Sequence, residues 1–189
     1  MALIDSNISA DNFFNLQRSH PSTSAIYRSA ESQSIRLTQK GSVTSVKYNL
    51  KKYGSPTGNA TAQIFAHSGT FGTSSIPTGS VLATSTNLDL STLTTDWVTY
   101  ELTFATPYDF EANTPFCITF INPASGVDES NYPIIQAYRA NGTTHAGNEA
   151  FFYKPNGGAI WEADSGADLT FYVYGDLEEV GGSFLLNFV

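Results

Sequence analysis

Apolar and polar positions alternate over residues 43–66. Val46, Tyr48 and Leu50 interleave with Lys47, Asn49 and Lys51, and Ala60, Ala62 and Ile64 interleave with Thr61, Gln63 and Phe65 beyond the turn Gly54-Ser55-Pro56-Thr57-Gly58. A period of two on both sides of a Gly/Pro cluster predicts an antiparallel hairpin with one face buried and one wet. The same signal recurs at 35–37, 81–84, 97–104, 116–121, 134–138, 150–153 and 169–174, separated by turn clusters such as Ser68-Gly69-Thr70, Asn122-Pro123 and Pro155-Asn156-Gly157. No segment carries the 3.6-residue period of an amphipathic helix, although residues 88–93 suit a single turn. About nine strands without a helix predict an all-β, single-domain antiparallel β-sandwich, a jelly roll or a related arrangement.

The two ends break the pattern. Residues 1–30 are polar and irregular apart from Phe13, Phe14 and Leu16, and read as an N-terminal arm or a first edge strand. The jelly-roll domain is then expected over 31–176. A C-terminal tail, 177–189, ends in the apolar Phe184, Leu185, Leu186 and Phe188 after Gly181-Gly182. An uncharged, β-prone tail needs cover, either from its own sandwich or from another chain by strand addition. Phe13, Phe14, Phe184, Leu185, Leu186 and Phe188 are therefore the candidate assembly residues of a homo-oligomer.

Composition narrows the partners. Of the 189 residues, 41% are hydrophobic and only 14% charged, below the roughly 25% usual in soluble domains, so the surface is built from Ser, Thr, Asn and Gly. The formal charge of −8, with scattered Lys and Arg, argues against nucleic acid as a partner. No apolar run reaches membrane-spanning length, so no membrane partner is expected, and the start lacks the blocks of a signal peptide. Cys117 is the one cysteine and sits in an apolar run, where a small buried hydrophobe is the expected role.

Several segments together carry a family likeness. They are Gln33-Ser34-Ile35-Arg36-Leu37 leading into 43–58, Ile76-Pro77-Thr78-Gly79-Ser80 with its continuation to Ser85, residues 97–104, residues 110–120, and the pair 156–161 and 168–174. In these the chain resembles the choice-of-anchor jelly-roll modules of bacterial surface proteins and phage virion proteins, over roughly residues 30–176. The resemblance implies a non-enzymatic virion structural protein, a capsid decoration, cement or fibre subunit. It would be made in the host cytoplasm, carried on the virion and bound to other virion proteins such as the major capsid protein. The lack of a leader favours that side of the family over the extracellular, surface-anchored one.

Local motifs for catalysis are sparse. His20, His67 and His145 are far apart and in no zinc spacing, and no Gly-x-Ser-x-Gly elbow is present. The acid pairs Asp109 with Glu111 and Asp164 with Asp168 read first as turn formers. Asp164 and Asp168, flanking Ser165-Gly166-Ala167, also offer oxygen ligands for calcium, the single cofactor candidate. The alternative function is carbohydrate binding for host or surface attachment. Tyr132, Tyr138, Tyr153 and Trp161 supply rings for sugar faces, with Asn131, Asn141, Asn156 and Asp164 beside them for hydroxyls.

Overall fold

The structure is a computed structural model and describes residues 1–17, 28–139, 145–153 and 160–178. Among the described residues the chain is all-β. Its strands are β1 (Ala2–Asn7), β2 (Asn12–Asn15), β3 (Arg28–Ile35), β4 (Gly41–Tyr53), β5 (Asn59–Ser68), β6 (Ile76–Thr84), β7 (Leu88–Asp89), β8 (Val98–Phe110), β9 (Phe116–Ile121), β10 (Tyr132–Tyr138), β11 (Glu149–Tyr153), β12 (Ile160–Asp164), β13 (Asp168–Leu169) and β14 (Phe171–Leu177). A single 3-10 turn, Leu90–Thr92, falls where the sequence suggests one, opened by the Asp89 carboxylate accepting from the Ser91 N–H at 2.9 Å.

The strands form two sheets, and the pairings in both are antiparallel. The first runs β1-β14-β4-β10-β13, with β8 on the free side of β4 and β2 on β10; the second runs β12-β11-β3-β9-β5-β6, with β7 on β5. Val46, Tyr48, Leu50, Leu102, Ile135 and Phe171 from the first sheet meet Ala62, Ile64, Phe116, Ile118 and Phe120 from the second in one core. Tyr48 and Phe120 join the layers edge to face, with centroids 5.7 Å apart.

The hairpin expected over 43–66 is not one. β4 and β5 belong to different sheets, and residues 54–58 are an arch between the layers. Alternation tells which face of a strand is buried, and two strands that face each other across a core satisfy it as well as two that pair. The arch spends its backbone bonds elsewhere: the Thr57 N–H donates to the Gly126 carbonyl at 2.9 Å, and the Leu90 N–H to the Gly58 carbonyl at 2.9 Å. Gly54 has φ +66°, and a Cβ there would lie 2.1 Å from the Ser130 carbonyl oxygen, so only glycine fits this corner.

Among the described residues there are fourteen strands where nine were expected. The additions are β1, β2, β7, β12 and β13, and β3 lies earlier than the 35–37 signal because its inward side chains are largely polar. The first residues are strands of the first sheet, with β1 along β14 and β2 along β10. Phe14 and Leu16, on this segment, are buried in the core, so Phe14 is not available as a surface for assembly. Phe13, its neighbour on the other face, is 48% exposed beside Trp97, with centroids 6.5 Å apart. Cys117 is buried as expected, and desolvation pushes its thiol up to about 12.

Candidate functional site

The inner face of the second sheet changes character across its width. Strand register aligns Ala62 with Phe120 and Ile64 with Ile118 on one side, and Phe120 with Glu31 and Ile118 with Gln33 on the other. Glu31 then lies opposite Phe151, Gln33 opposite Glu149, Phe151 opposite Glu162 and Glu149 opposite Asp164. The face that is apolar on β5 and β9 therefore turns polar and acidic on β3, β11 and β12.

These groups close one side of the sandwich. On the opposite side the sheets are joined by backbone, the Thr86 N–H donating to the Thr103 carbonyl at 2.7 Å next to a bridge between Ser85 and Phe104. On the acidic side the joints are made by side chains. The Arg28 guanidinium lies between the Phe14 ring of β2, 4.0 Å from its centroid, and the Phe151 ring of β11, 3.8 Å from its centroid. Its Nη1 donates to Glu31 Oε1 at 3.1 Å and Oε2 at 3.2 Å, and to Glu149 Oε1 at 3.1 Å. Arg139, just after β10, donates to Asp164 Oδ2 at 2.7 Å. Gln33 donates to Asp168 Oδ1 at 3.1 Å and accepts from the Leu169 N–H at 2.9 Å. His145 Nδ1 accepts from the Gly147 N–H at 3.0 Å, which leaves Nε2 to donate to Asp5 of β1 at 3.0 Å.

Glu31 and Glu149 are both fully buried, and two carboxylates in contact cannot both ionise beside one arginine at low cost. Desolvation pushes the Glu149 carboxyl well above the usual carboxylate range, and the charge of Glu31 adds to the shift. Desolvation raises Glu31 as well, opposed by its bonds to Glu149 and by Arg28. Among the described residues Glu149 Oε2 has no hydrogen-bond partner, so nothing there stabilises a second buried negative charge. Beside the pair opens a cavity of about 420 Å³ lined by Arg28, Arg139, Phe151, Glu162, Ala163 and Asp164.

The residues singled out in the sequence are dispersed. Tyr132 and Tyr138 sit at opposite ends of β10, about 20 Å apart at the rise of a strand, on the outer face of the first sheet. Tyr132 is 9% exposed and stacks on Tyr53 at 5.2 Å, so its face is already covered. Trp161, on β12, points outward from the second sheet and tilts against Phe152 at 5.1 Å. Phe184, Leu185, Leu186, Phe188 and the Tyr153 side chain lie outside the described residues.

Asp164 and Asp168 engage different partners, Arg139 for the first and Gln33 with the His145 N–H for the second, rather than converging on one centre. Among the described residues no three His, Cys, Asp or Glu side chains are grouped to hold a metal ion. Arg28, Glu31 and Glu149 were missed because inward polar residues erase the alternation that marks a strand. One usable signal was Glu149-Ala150-Phe151, an acid in phase with a core ring. Compared with known proteins, the chain matches no family model, no curated protein and no solved structure.

Proposed function

We propose that this chain is a non-enzymatic jelly-roll subunit of a phage particle, a capsid decoration, cement or fibre protein that assembles as a homo-oligomer beside other virion proteins. The observation that carries this reading is the chemistry of the lateral strands. Leu3 on β1, Val81 and Leu82 on β6, Val98 on β8 and Ile160 on β12 are each between 41% and 51% exposed. Strands at sheet edges normally carry charge or proline to block association. Apolar edge strands of this kind suit subunits that pack side to side, and the tail at 183–189 is the second candidate clasp. Light scattering of the full chain at micromolar concentration is expected to give a defined oligomer. Deletion of 183–189, or the double change Val81→Lys and Leu82→Lys, is expected to reduce the oligomer toward the monomer mass. A monomeric full chain would remove the reading.

A second reading, carbohydrate binding, is favoured by the cavity beside Asp164. Planar charged groups from Arg139, Glu162 and Asp164 around one cavity are the side-chain types that bond sugar hydroxyls. Binding on a glycan array that is lost in Asp164→Asn, with the fold intact, is the result this reading expects. Silence of the unaltered chain across a broad array would contradict it.

A further inference from the structure

We propose that the acidic side of the sandwich is a proton-operated latch, in which the single proton shared by Glu31 and Glu149 holds β11 and β12 against β3 and its removal loosens them. The charge count around the pair supports this. With the proton in place, Glu31 is balanced by Arg28 and Asp164 by Arg139, and Glu149 is neutral. Without it, one unpaired negative charge sits fully buried between the sheets, facing further acid on β12 at Asp164 and Glu162.

The other charged groups around the seam do not relieve that charge. Asp168 of β13 is held by Gln33 and the His145 backbone, and Asp5 of β1 is held by the His145 ring. Arg28 is already fixed between two rings and two carboxyls. The strands freest to respond are β11 and β12, because among the described residues β12 is a sheet edge and β3 is secured on its other side by β9.

The direction follows from linkage. A carboxyl whose proton is held more tightly in the closed form than in the open one stabilises closure fully below its open-state titration, near pH 4, and that stabilisation is lost as pH rises through the closed-state titration. Between those limits the opening constant rises about tenfold per pH unit, because one proton leaves with each opening. Most proteins instead lose stability on acidification, so the sign is diagnostic.

Hydrogen exchange of the full chain from pH 5 to pH 9, corrected for the intrinsic rate, tests this. The β11 and β12 amides are expected to lose protection with rising pH at that slope, while β5 and β9 amides do not. Glu149→Gln, which mimics the neutral partner, is expected to abolish the slope. If that variant does not fold, Glu31→Gln serves the same purpose by leaving one carboxyl with Arg28. Equal pH profiles for β11–β12 and β5–β9, or an unchanged slope in the folded variant, would overturn the latch.

Discussion

Replacing Arg28 with leucine is expected to cost about 3–5 kcal/mol of stability at neutral pH, the range for breaking a buried ion pair by removing one partner. The guanidinium does three things at once: it neutralises Glu31, bonds Glu149 and fills the gap between the Phe14 and Phe151 rings. Leucine restores part of the packing and none of the charge, so Glu31 must ionise alone in the interior or take up a second proton. The loss should therefore shrink as pH falls toward 5. Arg28→Lys is expected to fall between the two, since an ammonium keeps the charge but loses the planar fork and the stacking. Urea unfolding at pH 7 and pH 5 checks both variants, and a leucine variant as stable as the parent at pH 7 would show that the clasp contributes nothing.

Phe120→Ala is expected to cost about 3–5 kcal/mol as well, but with no pH dependence. Phe120 is fully buried on β9, and its ring meets Tyr48 of β4 across the layer gap. Its loss opens a void that two hydrogen-bonded sheets cannot collapse to fill. The Tyr48 and Phe120 truncations should be non-additive by about 0.5–1.5 kcal/mol, the coupling of an aromatic pair. A cycle between Lys47 and Gln63, which would be neighbours only if β4 and β5 paired, should be additive. Urea titration of the single and double variants reads both.

The two predictions mark where the sequence was legible. Val46, Tyr48 and Leu50, and likewise Ala60, Ala62 and Ile64, are buried as their alternation predicts. The partner of each strand was not readable, because facing and pairing leave the same period-two trace. Val98 aligns with the buried Leu50, yet it is 41% exposed at the end of that pairing. β3 was misplaced because Glu31 and Gln33 occupy its inward positions, and the residues that hid the strand are those that build the candidate site. Of that site's acids, Asp168 on β13 was singled out in advance, and so was Asp164 on β12. Its significance lies in the ion pair with Arg139, which no local pattern reports.

The proposed latch requires one buried proton shared between two strands of the second sheet. Carbon-13 NMR of the side-chain carboxyls, assigned with Glu31→Gln and Glu149→Gln, tests this directly at pH 7 in the folded chain. The expected result is a protonated Glu149 carboxyl beside an ionised Glu31, with Glu149 titrating above the range of the exposed glutamates. An ionised Glu149 at pH 7, titrating with the surface carboxylates, would contradict it.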